Sequence, residues 1–332
     1  MKLLFLFTGG TIGSTAVGDT IVTDRKKPYL LLNAYENRYG ISFLYDTEEP
    51  YTALSENNTG KTLSTLLASV KEGLARDYDG IVVTHGTDTL QYSAAALSYA
   101  FSDAKIPVCL VSSNAPIEDP AANGLANLHG AVRFIEEIKK PGVWVAYQNK
   151  GEELKIHRGT RLLGSVAFSD RVASINDSYF GVFRDGEPFE RNPEYRELAD
   201  GMAAMGAVTL PTYCRDILVV EPFPGRCYPA IGDTVRYILH TSYHSGTINT
   251  ASFATKEFFR LARERGIVSF LTGVTPGTAY ESTKLFRELG LCPLYNIAPI
   301  SAFIKLWMLS TLYPDTPASE LLLTPLGGDI VR

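Results

Sequence analysis

The sequence has no C-x-x-C pair; its four cysteines, Cys109, Cys214, Cys227 and Cys292, stand far apart in apolar or loop contexts. They are expected to be reduced structural thiols, which suits a cytoplasmic protein better than a disulfide-built secreted one. Its five histidines form neither H-E-x-x-H nor any other clustered ligand spacing, so no metal and no cofactor is expected. The apolar run Leu3 to Phe7 is too short for a signal-peptide core or a membrane span, so no membrane partner is expected. No basic run is long enough to track a phosphate backbone, and 31 basic against 36 acidic residues give a net charge of −5. Nucleic acid is therefore not an expected partner. Repeats and low-complexity tracts are missing too. Gly9, Gly10 and Gly13 do not make G-x-G-x-x-G, and no Gly-Lys-Ser/Thr follows, which argues against dinucleotide or nucleoside triphosphate binding.

What is present is ample apolar material, 45% of 332 residues, arranged in two kinds of period. Leu3 to Phe7 is a continuous run ending at a glycine pair, the pattern of a buried strand feeding a turn. Leu63, Leu66, Leu67, Val70 and Leu74 share one helical face, after which Gly80 to Val83 reads as a strand. Leu90, Ala94, Leu97 and Phe101 repeat the helical stripe. Pro107 to Val111 predicts a strand, Ala121 to Glu137 a helix and Gly142 to Ala146 another strand. Strand, helix, strand is the crossover unit of a parallel sheet. After Asn149 the pattern turns irregular, and Asp185 to Gly201 is polar with no apolar period. Strands are expected again at Ile217 to Val220, Tyr237 to Leu239 and Ile267 to Leu271, with helices at Thr255 to Glu264 and Ser301 to Leu312. The expected fold is α/β: a large N-terminal doubly wound parallel-sheet domain (1–184), a linker (185–205) and a smaller C-terminal α/β domain (206–332).

Two motifs fall at the carboxyl ends of predicted strands, where loops and helix N-termini converge in open α/β sheets. In Thr8-Gly9-Gly10-Thr11-Ile12-Gly13 the glycines permit a tight turn and a close backbone approach to a ligand, leaving the Thr11 hydroxyl toward the cleft. Thr84-His85-Gly86-Thr87-Asp88-Thr89 lies between a strand and a helix. Each alone is explained by a glycine-rich turn with a bystander threonine, and Asp88 by a helix-first-turn acid. Together they offer what acyl transfer needs: a hydroxyl nucleophile, a group to handle its proton and fixed donors for an oxyanion.

With these signatures the sequence resembles the bacterial-type L-asparaginase and glutaminase family, in the style of its cytoplasmic type I members. The resemblance continues through Ser112-Ser113-Asn114-Ala115-Pro116, Asn123-Gly124-Leu125-Ala126-Asn127-Leu128, Arg158-Gly159-Thr160-Arg161 and Tyr243-His244-Ser245-Gly246-Thr247. It implies a threonine acyl-enzyme that releases ammonia from L-asparagine or a related small amide, in a homodimer or homotetramer. It carries the nucleophile onto Thr11 and the second threonine and acid onto Thr87, which orients or activates, and Asp88, which binds the substrate α-amino group. Ser55 and Glu56 match the pair that holds the substrate's α-carboxylate and α-amino ends. Gly10, Gly86 and Ser113 complete the expected substrate-binding set.

Two family residues have no counterpart. The lysine that pairs with the second threonine and acid should follow Arg158-Gly159-Thr160-Arg161, where Leu162-Leu163-Gly164-Ser165 stands, and no lysine occurs between Lys155 and Lys256. A tyrosine that presses on the nucleophile is missing near Thr20. A threonine hydroxyl is a poor nucleophile without a base or a cation beside it. Lys155, Arg158 and Arg161 are nearby cations, though an ordinary ion-paired role suits each. Ser14 to Lys27 is either a water-excluding lid or a surface loop. Tyr243 to Thr247 falls where the family's C-terminal domain reaches a neighbouring protomer, so Ser245 or Thr247 completes a pocket in trans or merely follows a strand. The alternative function is an impaired asparaginase-like protein that binds or senses an amino acid. A third is the amide-hydrolysing component of a tRNA-dependent amidotransferase, expected to carry an extra N-terminal domain.

Overall fold

The computed structural model describes residues 1–10, 12, 14–17, 20–23, 27–277, 280–316 and 318–332, with 14–17, 20–23 and 27–29 described for the backbone alone. In chain order its first part contains β1 (Lys2–Phe7), β2 (Ser14–Val17), β3 (Thr20–Thr23), α1 (Lys27–Tyr39), β4 (Leu44–Glu48), α2 (Gly60–Leu74) and β5 (Gly80–Thr84). There follow α3 (Leu90–Ala100), β6 (Pro107–Val111), α4 (Gly124–Arg133), β7 (Gly142–Gln148), β8 (Leu154–Arg158), β9 (Gly181–Phe183) and β10 (Glu190–Arg191). Eight of these strands make one sheet in the order β10-β9-β8-β7-β6-β5-β1-β4. The five from β7 to β4 are parallel, and β8, β9 and β10 add an antiparallel edge.

The apolar runs explain the layering. Successive strand side chains point to opposite faces, so Leu4 and Leu6 of β1 join α2 and α3 through Leu66, Leu67 and Leu97. Leu3 and Phe5 point the other way, into α1 and α4 through Leu31, Tyr35, Leu128 and Ala131. A strand covered on both faces has no polar side to show, which is why β1, β5 and β6 read as unbroken apolar runs.

The second unit contains β11 (Ile217–Val220), β12 (Tyr237–His240), α5 (Phe253–Glu264), β13 (Val268–Val274), α6 (Glu281–Lys284), α7 (Phe286–Leu289), β14 (Leu291–Tyr295), α8 (Pro299–Leu312) and α9 (Ala318–Leu322). Its sheet, β11-β12-β13-β14, is parallel throughout. One face packs on Phe258 and Phe259 of α5. The other packs on α8, a helix buried on nearly every side. Leu306 and Leu309 of α8 share one apolar cluster with Leu97 of α3 and with Leu239, Phe270 and Leu294 of the small sheet. The two units are thus joined by a common core.

Three sequence expectations need correction. The segment 185–205, expected as a linker, carries β10 and the buried Tyr195 and so begins as part of the large sheet. Ser14 to Lys27, expected as a loop, contains the antiparallel hairpin β2–β3 and the first residue of α1; its positions 18–19 and 24–26 lie outside the described residues. The region after Asn149, expected to be irregular, supplies β8 and β9. Among the described residues no helix is long and apolar enough to cross a membrane.

Candidate active site

β1 and β5 are neighbours in register, Leu6 opposite Val83 and Phe7 opposite Thr84, so the two threonine turns leave the sheet side by side. The Thr8 hydroxyl donates to the Thr84 carbonyl at 2.7 Å. The segment after β4 closes from the far side: Ala53 N–H donates to Thr8 O at 3.1 Å and Gly10 N–H to Ala53 O at 3.0 Å. The approach admits no side chain. A Cβ on Gly10 would stand 2.3 Å from Gly86 N, and one on Gly86 would stand 2.5 Å from Ser55 Oγ. Gly10 also has φ +78°, a left-handed conformation that glycine adopts without strain. Gly10, Gly86 and Ser55 therefore meet at one point above the strand ends.

Thr11, the nominated nucleophile, lies outside the described residues, as does the side chain of Thr20. Its neighbours Gly10 and Ile12 are buried. Thr87 is half-buried and Asp88 exposed. The buried Ser55 donates its hydroxyl to Asp88 Oδ2 at 3.3 Å. Thr89 Oγ1 donates to Ser55 O at 2.9 Å, binding the two segments again. Glu56 is exposed and shares a cavity of about 620 Å³ with Asp88, Tyr92, Tyr213 and Trp307.

His85 is a positioning group rather than a free base. Its Nδ1 lies 2.8 Å from Gly86 O, which can only accept, so Nδ1 carries the proton and Nε2 accepts from Ser93 Oγ at 2.8 Å. Burial pushes the imidazole pKa down and keeps it neutral.

Ser113 lies beside the first turn: a Cβ on Gly124 would meet both Ser113 Oγ at 2.8 Å and Ile12 Cγ1 at 3.4 Å. Its buried hydroxyl donates to Ala115 O at 2.5 Å within its own turn. Ser245 and Thr247 bond each other at 3.0 Å, and Ser245 opens onto another cavity with Val274 and Tyr295.

Asp88 stands where three cavities meet. Besides the one with Glu56, a space of about 670 Å³ lies between the two sheets, lined by Asp88, Gln91, Gly164, Ser165, Glu221 and Phe303. A third, of about 320 Å³, is lined by Thr87, Asp88, Ser165, Phe168, Asp170 and Arg171. Gly164, where the resemblance leads one to expect a lysine, lines the second cavity with Asp88. The three nearby cations that precede Gly164 are committed elsewhere. Lys155 pairs with Glu152 at 3.0 Å. Arg158 donates to Gly327 O at 3.0 Å and pairs with Glu197. Arg161, buried and with its pKa lowered by that burial, donates to Gly328 O at 2.8 Å. Gln91 and Ser165 have no signature in the sequence. Gln91 Nε2 donates to Asp88 O at 3.0 Å and to Ser165 Oγ at 3.1 Å, tying the loop after Arg161 to the second turn.

Residues 2–188 match the family model described as Asparaginase, N-terminal. A glutamyl-tRNA(Gln) amidotransferase component of Pyrobaculum aerophilum is 25% identical over 99% of this chain and 80% of its own length. L-asparaginase of Thermococcus kodakarensis is 35% identical over 49% of this chain and 47% of its own length. The solved structure of the thermostable L-asparaginase from that organism superposes over 100% of both chains with a TM-score of 0.79 at 25% identity.

Proposed function

The chain belongs to the asparaginase family, and from that premise we propose that it releases ammonia from L-asparagine or a related small amide through a threonine acyl-enzyme. The observation that carries the reading is the contact of Gly10, Gly86 and Ser55 beside an exposed Asp88 at the mouth of an interdomain cleft. In this reading Thr11 Oγ attacks the amide carbon and the C–N bond breaks. The nitrogen leaves as ammonia with the hydroxyl's proton, and water then cleaves the ester to return the hydroxyl. Thr87 orients the attack and the water, Asp88 holds the substrate ammonium, and Gly10 and Gly86 let the substrate approach the backbone. A homodimer or homotetramer in the cytoplasm belongs to the same reading.

Glycine at the lysine position supports a second reading, a protein that binds an amino acid but turns it over slowly. The likeness to a glutamyl-tRNA(Gln) amidotransferase component supports glutamine as a competing substrate. The deciding experiment measures ammonia from asparagine, glutamine and a panel of small amides against a Thr11→Ala control. Release above the control supports the hydrolase. No release, with heat of binding in calorimetry, supports the binding protein. Light scattering on the eluting peak tests the oligomer.

A further inference from the structure

Arg171 is, among the described residues, a cation that the fold brings to the second threonine turn. It lines the same cavity as Thr87, Asp88 and Asp170. Its place is fixed by the large sheet. Asn149, just beyond β7, grips the backbone of Val172 from both sides, accepting from its N–H and donating to its carbonyl, each at 2.9 Å. Tyr147 of β7 donates its hydroxyl to Asp170 O at 2.9 Å. Arg171 is thus held between two backbone anchors.

The guanidinium is held at one end and open at the other. Arg171 Nη1 pairs with Glu152, and Lys155 on the opposite side of Glu152 holds that carboxyl below its ordinary range, so the brace stays charged. Nε and Nη2 carry no hydrogen bond among the described residues, and the side chain is 57% exposed. A guanidinium with free N–H groups in one plane fits a carboxylate by two parallel bonds. The cavity then offers one fixed cation beside the carboxylates of Asp88 and Asp170, the complement of a zwitterion. Ser55, which the resemblance assigns to the substrate carboxylate, is buried and donates to Asp88 at 3.3 Å.

We propose that Arg171 binds the free carboxylate of the substrate while Asp88 takes its ammonium, making Arg171 a specificity-determining residue. The assignment rests on the hydrolase reading above and limits it to amides that carry both charges.

The test compares L-asparagine, 3-aminopropanamide, which lacks the carboxylate, and succinamic acid, which lacks the ammonium. Each is given to the full chain and to Arg171→Gln, Arg171→Lys and Glu152→Gln. Arg171→Gln should raise KM for asparagine and succinamic acid by about 10- to 100-fold, the loss of one charge-assisted pair. Its kcat should change less than about threefold, since the contact persists from ground state to transition state. KM for 3-aminopropanamide should stay the same, and Arg171→Lys should recover part of the loss. If Arg171→Gln leaves KM for asparagine unchanged, or raises KM equally for all three amides, the assignment is overturned and Arg171 only braces its loop. Should the wild type hydrolyse neither these three nor the wider amide panel with glutamine, the hydrolase reading fails; whenever the three are not turned over, calorimetry with L-aspartate decides the assignment. Binding lost in Arg171→Gln upholds it; binding retained, or absent from the wild type, overturns it.

Discussion

Lys305 Nζ lies 2.7 Å from Asp329 Oδ2 with both side chains fully buried. The pair ties the C-terminal segment to α8, and the Tyr99 hydroxyl of α3 donates to the same carboxylate oxygen at 3.2 Å. Burial lowers the Lys305 pKa and Asp329 opposes that shift, so removing Asp329 would strand a cation in an apolar core. Asp329→Ala should cost about 3–5 kcal/mol, read as a lower urea midpoint at pH 7. Replacing both residues by Met and Leu should recover only part, because Leu326 N–H and Tyr99 also lose Asp329. A change below about 1 kcal/mol for the single variant would show that water reaches the site and that the core there is not closed.

Gly10→Ala separates steric contact from backbone strain. The new methyl would stand 2.3 Å from Gly86 N, forcing the two turns apart. Ammonia release should fall at least about 100-fold, since displacements near 1 Å at a reacting group have that effect. Gly40→Ala is the control, with a similar φ of +74° and nothing within 4 Å of the added carbon. It should lower stability by about 1 kcal/mol with activity unchanged. Equal activity losses in the two variants would mean that strain, not contact, matters at Gly10.

Gly164→Lys tests whether the missing cation leaves a usable gap. A Cβ there meets only Ile300 Cδ1 at 3.4 Å, ordinary contact, and the residue already lines a cavity with Asp88. The variant should raise kcat for the best amide by about 10-fold or more, short of the roughly 100-fold that a fully positioned proton-transfer group supplies. An unchanged or lower kcat would show that Ser165 and Gln91 have closed the lysine's path.

His157 should make the fold acid-sensitive. Burial pushes its pKa down to about 3 from an ordinary 6.5, and its Nδ1 sits 2.8 Å from Ser174 Oγ. Below pH 6.5 the unfolded chain takes up a proton that the folded chain refuses. Stability is therefore complete above that pH and falls toward pH 3, by about 1.4 kcal/mol per unit for one such group. His85, His129 and His240, also lowered by burial, add to the slope. Urea unfolding at pH 7 and pH 5 should show His157→Gln losing less stability than the wild type by about one proton's worth; equal losses would place the acid sensitivity elsewhere.

The sequence reveals most where burial is two-sided. Leu3 to Phe7 and Pro107 to Val111 show no polar face because helices cover both sides. β4 is hidden for the opposite reason: Leu44 and Tyr45 are exposed and Asp46, Thr47 and Glu48 are polar, as an edge strand permits. β8 is hidden because Lys155, His157 and Arg158 break its apolar period, the last two being buried only through partners at Ser174 and Gly327. At the candidate site, the convergence of the turns that hold Gly10, Gly86, Thr87 and Asp88 is legible because glycine at a strand end constrains the backbone locally. Gln91, Ser165 and Arg171 are not, because the loop after Arg161 reaches Asp88 only through tertiary folding.

The C-terminal segment sets a schedule for assembly. Arg158 and Arg161 sit in the half of the chain synthesised first, yet their carbonyl partners, Gly327 and Gly328, come 169 and 167 residues later. Until those residues emerge, each of the two guanidinium groups lacks one of its carbonyl partners, and the face of α3 that receives α8 stays open to solvent. The large sheet can pair its strands early, but it cannot be finished locally. Contacts closed over such long intervals slow folding and expose incomplete surfaces along the way.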